Sequence, residues 1–350
     1  MSKTPLLSIV TTTRNDNHGG NLVKRTECFV KGIYAQAQRH SVEIELLIVE
    51  WNPPKDRPLL HEVLPHPPNG CPVSLKFVVV PNEVHVHYKT SDTLPLYQMT
   101  AKNVGIRRAA GKFVLCTNID LLFTDELFAH LSELELKENH FYRAVRADVP
   151  EAVMDIDDFE GQLKYAKENV IAKLGKRVGH EYLFGLPNFV YGFKTTASIL
   201  NWMFKHWLAK LYTKEFFEMM SLDTHACGDF TMMSKTDWER IEGYPELDLY
   251  SIHIDSMGLV AARAIGMTQV IFPPDACSYH IYHRDGWESF KESPIDLIRF
   301  IEKRPGLDWG SVDEAGKWMI KHGKKWGLNS ENWGWVDKDF DEFIFDGNNS

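Results

Sequence analysis

Lys102 to Asp120 reads KNVGIRRAAGKFVLCTNID. Helix-compatible residues run to Gly111, an apolar strand KFVLC (Lys112 to Cys116) follows, and the strand ends in Asn118-Ile119-Asp120. A helix feeding straight into a buried strand is the repeating unit of an α/β sheet. The carboxyl end of such a strand is where open α/β sheets bind ligands. Asn118 and Asp120 stand two apart, so an extended backbone points both side chains the same way. An amide and a carboxylate together suit a hard divalent cation that keeps waters and phosphate oxygens as its other ligands. Taken alone, Asn and Asp at a strand end more often serve as turn or cap residues.

Upstream, LLSIVTT (Leu6 to Thr12), IELLIVE (Ile44 to Glu50) and LKFVVV (Leu75 to Val80) are short, near-continuous apolar runs, the pattern of strands buried on both faces. Asn21 to Gln38 and Tyr97 to Ala110 have helical composition and lie between them, so the first 125 residues read as an α/β domain with a mostly parallel sheet. Residues 126–221 read as a helical, basic and aromatic insertion. Over 161–215 there are nine Lys/Arg against three Glu, a balance of +6 that leaves −15 on the rest of the chain. Ile199, Leu200, Met203, Trp207, Leu208 and Leu211 recur there at helical spacing with Lys205, Lys210 and Lys214 interleaved, which reads as a core-packing helix or an interfacial one. Residues 222–290 return to α/β character, and 291–350 form a Trp-rich extension, expected to be helical and clamped to the domain by burial of its indoles.

The chain has 350 residues, which at roughly 150 per domain suggests about two domains or one large one with extensions. With 44% hydrophobic and 25% charged residues it has the composition of a folded globular protein. A formal charge of −9 argues against a nucleic-acid binder that works through its overall field. Five widely spaced cysteines without a CxxC pair fit a reducing compartment. The N-terminus lacks the look of a signal peptide, and no window supplies the apolar residues of a membrane span, so the expected location is cytoplasmic, with any membrane contact peripheral, at the inner face, through 161–215.

There is no GxGxxG or P-loop pattern, no G-x-S-x-G elbow and no HExxH helix, which disfavours dinucleotide oxidoreductases, kinases and the common hydrolases. Of fifteen histidines, His280 and His283 in CSYHIYHRDGW stand three apart after a strand expected over Gln269 to Phe272, and imidazole is a common transition-metal ligand. His85-Val86-His87 reads as a solvated face on a strand-like alternation. Asp255, in HIDSMGLVAARAIG, reads from its residues alone as an N-cap or a surface charge, and Asp229, in CGDF, as a cap.

In order, SIVTTTRND (Ser8 to Asp16), ELLIVEWNPP (Glu45 to Pro54), KNVGIRRAAGKFVLCTNID and ACGDFTMMSKTDWERIEGYPEL (Ala226 to Leu247) resemble nucleotide-diphosphate-sugar glycosyltransferases of the GT-A fold, specifically the family 2 type. That family has a TYN-like turn after its first strand, a VDDGS-like acidic turn after its second, an N-x-G-x-x-x-A-x-G element before a strand and DxD, and a GGF-x-E-like turn. Counting back eleven residues from Gly266 places Asp255 on the Asp of the family's ED motif. The resemblance covers residues 6–125 and 222–285, about half the chain. It implies a GT-A-like, Rossmann-type, mostly parallel sheet flanked by helices, with the insertion and extension above. It implies that Thr12, Arg14 and Glu50 line a nucleoside pocket, that Arg107 and Asn118 bind the donor, and that Asp120, with His280 ranked above His283, holds a metal. Asp229 would face the acceptor and Asp255 would be the general base of an inverting transfer. The chain departs from the pattern twice: Asn118 replaces the first Asp of DxD, and Ile254 replaces the Glu before the catalytic Asp.

The implied cofactor is Mn2+ or Mg2+ and the implied donor a UDP- or GDP-sugar. The implied acceptor is a glycan or lipid-linked hydroxyl, and the basic, aromatic character of the insertion suggests an anionic one such as a lipid-linked or phosphorylated glycan. Transfer of a glycosyl group passes through an oxocarbenium-like transition state while negative charge develops on the leaving diphosphate, so the reaction needs a cation at one end and a base at the other. Two alternatives stand beside this reading: a nucleotidyltransferase that makes the activated sugar, told apart by pyrophosphate release, and a non-catalytic carbohydrate-binding scaffold, which would bind glycan but no nucleotide.

Overall fold

The computed structural model describes residues 5–133, 136–174, 213–283, 305–325, 327 and 329–347. Four strands are those expected from the apolar runs: β1 (Leu7–Thr13), β2 (Ile44–Trp51), β3 (Val73–Val80) and β4 (Phe113–Thr117). Every residue of β1, β2 and β4 is buried, which is why their sequences do not alternate between apolar and polar. The helix Leu22–His40 joins β1 to β2, the helix Gln98–Arg108 leads into β4, and all adjacent pairs among these four strands are parallel.

Eight further strands complete two sheets: β5 (Leu121–Phe123), β6 (His140–Arg143), β7 (Val145–Val149), β8 (Ala172–Leu174), β9 (Phe230–Ser234), β10 (Thr268–Ile271), β11 (Cys277–Ile281) and β12 (Asp341–Asp346). The large sheet has the order β10-β6-β9-β4-β1-β2-β3-β12, and the small one β5-β11-β7-β8. The chain steps outward from β1 to β3 and then returns to the other side of β1 as β4, so the strand order reverses between β1 and β4. This reversal makes the crevice at their carboxyl ends the expected ligand site of an open α/β sheet. Alternation along the buried strands divides the core in two. Val10, Leu47, Val49 and Val114 face the helices Gln98–Arg108 and Ile254–Ala264, while Ile9, Leu46, Ile48 and Leu115 face the helix Leu22–His40.

The expected mixed α/β architecture with a mostly parallel sheet is the one observed, and several local expectations are corrected. Residues 140–149 do not belong to a helical insertion: HFYRAVRADV supplies β6 to the large sheet and β7 to the small one. Its charges hid the strands, because Arg143, Arg146 and Asp148 sit at positions that a composition count assigns to surface, yet each has buried polar partners. The acidic tail is likewise not helical to its end, since β12 pairs antiparallel with β3 and stacks Phe343 and Phe345 on His61 and His66 at 3.7 Å. Trp333 is buried as the clamp reading expects, whereas Trp309 and Trp318 remain 43% and 44% exposed. His85 is no solvated strand residue: it ends the short helix Asn82–His85 and is buried, accepting the Trp51 Nε1 proton on Nδ1 at 3.0 Å. Lys205, Lys210, the apolar stripe Ile199 to Leu211 and most of the basic 161–215 stretch lie outside the described residues.

Two glycines explain the spacing in KNVGIRRAAG. A Cβ on Gly105 would lie 2.3 Å from Val10 Cγ1, so the helix Gln98–Arg108 can rest on β1 only without a side chain there. A Cβ on Gly111 would lie 2.5 Å from Ser8 N, and its own N–H donates to Ser8 Oγ at 2.8 Å. Ser8 in turn bonds Glu45, whose Oε2 accepts the Ala110 N–H at 2.7 Å, so the entry to β4 is pinned to β1 and β2 together. Mid-helix Gly→Ala changes ordinarily stabilise by ~1 kcal/mol, but overpacking a filled core costs ~1–3 kcal/mol. Gly105→Ala is therefore expected to lower the urea midpoint of unfolding, and a raised midpoint would show that the helix does not bear on β1 as described.

Candidate active site

The two sheets part where β4 continues into β5 through Asn118-Ile119-Asp120 and where β6 continues into β7 through Ala144. Between them opens a cavity of about 770 Å³. Of the residues singled out by sequence, Thr12, Arg14, Asn118, Asp120, Asp229, Asp255, His280 and His283 line it, while Glu50 and Arg107 do not.

β11 brings His280 opposite Leu121 of β5 on one side and Asp148 of β7 on the other. That register sets His280 Nδ1 3.0 Å from Asp148 Oδ1 and leaves Nε2 facing Asp120 Oδ2 at 3.6 Å. His283 Nε2 lies 3.1 Å from the same Asp120 oxygen. Among the described residues these three form the one grouping of potential metal ligands, with one ligand atom from each inside 4.8 Å of the others. Asp120 Oδ1 is buried without a hydrogen-bond partner among the described residues. Burial would raise the Asp120 carboxyl, but the two imidazoles outweigh it and hold the group well below the usual carboxylate range. Burial would lower His280, and Asp120 and Asp148 together push it up to about 9. The place demands positive charge. A carboxylate oxygen, two imidazole nitrogens and a carboxylate behind one of the histidines are the donor set of a divalent transition-metal site, so these residues fit the cation that the sequence implies.

Asn118 is turned away from this cluster. Its Oδ1 accepts from Gln98 Nε2 at 2.8 Å and from Lys102 Nζ at 2.9 Å, and its Nδ2 donates to Asp229 Oδ1 at 2.6 Å. Asp229 Oδ2 accepts from Arg146 Nη1 at 3.0 Å, and Arg146 Nε donates to Asp148 Oδ1 at 2.6 Å. Lys102, which sequence reading passed over, has no exposed surface and also donates to the Gly228 carbonyl at 2.8 Å. Burial pushes its ammonium down, against the pull of Asp229 and Asp255. The available signal was its place three residues after Met99 and four before Ile106, on one face of the helix.

At the carboxyl ends of β1 and β2, Thr12 Oγ1 donates to the Val49 carbonyl at 2.9 Å, and Arg14 Nε to the Asn52 carbonyl at 2.6 Å. Glu50 is fully buried behind them and accepts the Leu60 N–H at 2.8 Å, which ties down the loop after β2. Arg107 lies over the Trp333 ring at 4.7 Å and holds the C-terminal segment. Across the cavity, His253 adopts a left-handed φ of 64° and starts the helix Ile254–Ala264, so half-buried Asp255 falls in its first turn. Its Oδ1 accepts the Ser256 N–H at 2.8 Å, and a Cβ on Gly228 would lie 3.1 Å from its Oδ2, tighter than an ordinary van der Waals contact.

No family model and no curated protein matches the sequence. Among solved structures, similarity extends to the catalytic domain of Drosophila beta1,4-galactosyltransferase 7 in complex with xylobiose, at 10% identity over 95% of this chain and 83% of that one, with a TM-score of 0.36. It extends also to GalNAc-T7 with UDP, GalNAc and Mn2+ (10% identity, 96% of this chain, 54% of that one, TM-score 0.42). A third is the galactosyltransferase LgtC with donor and acceptor sugar analogues (17% identity, 41% of this chain, 46% of that one, TM-score 0.25). The chain is similar to GT-A glycosyltransferases. It spans about half the length of the second and third of these chains, and at these scores the chemistry is read from its own side chains.

Burial raises Glu50 from 4.5 to about 7, helped slightly by Glu62 and opposed by its bond from Leu60. The folded state thus holds this proton more tightly than the unfolded one. The associated stability is complete below the unfolded value and is lost as pH rises through about 7. Glu50→Gln is expected to stabilise the protein at pH 8 by up to ~3 kcal/mol and to leave pH 4 almost unchanged. Urea unfolding at the two pH values measures this, and an equal effect at both would show that Glu50 ionises freely.

Proposed function

We propose that this protein is a metal-dependent glycosyltransferase that moves a sugar from a nucleoside diphosphate to an acceptor hydroxyl, inverting the anomeric centre. The supporting observation is that the Asp120, His280 and His283 cluster and the Asp255 carboxylate line one cavity at the strand reversal of an α/β sheet. Asp120, His280 and His283 would hold Mn2+ or a similar ion, which when bound supplies Lewis acidity to the leaving diphosphate. Thr12 and Arg14, fixed to the ends of β1 and β2, bound the nucleoside end, and a UDP- or GDP-sugar is the donor class.

Asp255 accepts the acceptor hydroxyl proton as the oxygen bonds to the anomeric carbon and the bond from that carbon to the diphosphate breaks. Its carboxylate lines the cavity beside Gly228. Asp229 belongs on this reading to the wall between donor and acceptor, with both oxygens held by Asn118 and Arg146. The acceptor class is a glycan or lipid-linked hydroxyl. No described helix is long and apolar enough to cross a membrane.

Two imidazoles and one carboxylate form a softer set than the oxygen cage that Mg2+ prefers. Mn2+ is therefore expected to bind more tightly than Mg2+ in a titration followed by electron paramagnetic resonance. Asp120→Ala should weaken Mn2+ roughly tenfold or more, and wild-type affinity in that variant would remove the cluster from the mechanism. Asp255→Asn should keep Mn2+ and nucleoside diphosphate binding while kcat falls roughly 100- to 10,000-fold. A normal kcat would assign the base elsewhere, and pyrophosphate among the products would indicate nucleotidyl rather than glycosyl transfer.

A further inference from the structure

Five polar side chains form an unbroken path from the helix Gln98–Arg108 to the metal cluster. Lys102 Nζ meets Asn118 Oδ1 at 2.9 Å, Asn118 Nδ2 meets Asp229 Oδ1 at 2.6 Å, Asp229 Oδ2 meets Arg146 Nη1 at 3.0 Å, and Arg146 Nε meets Asp148 Oδ1 at 2.6 Å. Asp148 then meets His280 Nδ1 at 3.0 Å. Asp148, Asp229 and Lys102 are almost wholly buried, whereas Asn118 and Arg146 are half-buried and line the cavity. We infer that Lys102, Asn118, Asp229, Arg146 and Asp148 are positioning residues: they orient His280 for the ion and fasten the metal side of the cavity to the Gly228 wall beside Asp255. The inference deepens the glycosyltransferase reading through its metal arm, while the part that concerns Asn118 stands on the fold alone.

Each link has one job. A carboxylate accepting from Nδ1 fixes the imidazole tautomer and turns Nε2 toward the ligand position. Arg146 holds Asp148 and Asp229 at once, so neither carboxylate faces the other without a cation between them. Asn118 is the only residue of the path that must both accept and donate: it accepts from an ammonium and donates to a carboxylate. An aspartate at this position has no proton to donate and would set a second negative charge against Asp229. The departure from DxD at position 118 therefore follows from the neighbours of that side chain and not from the needs of the cation.

The test uses the full chain with Asp148→Asn, Arg146→Lys and Asn118→Asp, read by Mn2+ titration under electron paramagnetic resonance and by thermal melting in EDTA. Asp148→Asn is expected to weaken Mn2+ roughly 10- to 100-fold. Arg146→Lys, which keeps the charge but not the two-sided fork, is expected to weaken it less and to keep the protein folded. Asn118→Asp is expected to lower the melting temperature in EDTA without tightening Mn2+. Wild-type Mn2+ affinity in Asp148→Asn, or a tighter Mn2+ in Asn118→Asp, would overturn the inference, the second because it would put that side chain on the ion. If the wild type itself binds no Mn2+, the metal reading fails, and wild-type melting of Asn118→Asp in EDTA would then overturn the network as well.

Discussion

An ammonium with no access to water must be met on every side by groups the protein itself supplies, and Lys102 imposes that constraint on the heart of this molecule. Its partners come from the turn after β4 and the loop before β9, so their relative placement is fixed by one side chain. Removing such a buried charge from its partners costs several kcal/mol. The charges beyond it cancel in pairs: Lys102 and Arg146 against Asp229 and Asp148. What is left over is the carboxylate of Asp120, held between two imidazoles with one oxygen unpartnered among the described residues.

The sheets explain why that imbalance sits where it does. β4 and β6 each change sheets at a single short connection, and the divergence leaves backbone and side chains at both carboxyl ends without a covering strand. β11 then inserts between β5 and β7, so a histidine from late in the chain is laid beside an aspartate from the middle. The paired register supplies this precision without any loop having to find its place. On the opposite wall, the left-handed His253 and the bare Gly228 together present the first turn of a helix to the same space.

Much of this was legible in the sequence wherever one physical cause dominated. Continuous apolar runs gave β1 to β4, and the glycines of KNVGIRRAAG marked the helix that rests on them. Asp120, His280, His283 and Asp255 owe their expected roles to the family resemblance, and all four line the cavity. Residues whose role depends on a distant partner were not legible. Lys102 shares a helix face with Met99 and Ile106, but its partners Asn118 and Gly228 meet it only on folding. Strands β6 and β7 carry arginines and aspartates that look exposed in a composition count, and their partners are 80 or more residues away, at Asp229, His225 and His280. Arg107 and Glu50 fit a donor site by motif alone, whereas packing spends one on Trp333 and the other on the Leu60 backbone.

The presence of a single carboxylate, Asp120, in the cluster carries a consequence for how ion and nucleotide would bind together. Two carboxylates would nearly neutralise a divalent cation, whereas Asp120 alone leaves a net positive charge on the ion and its three ligands. In a buried setting that excess is costly by itself and favourable beside a diphosphate. On the proposed reading, ion and nucleoside diphosphate each supply the charge that the other lacks, so each raises the affinity of the other, and by linkage by the same factor.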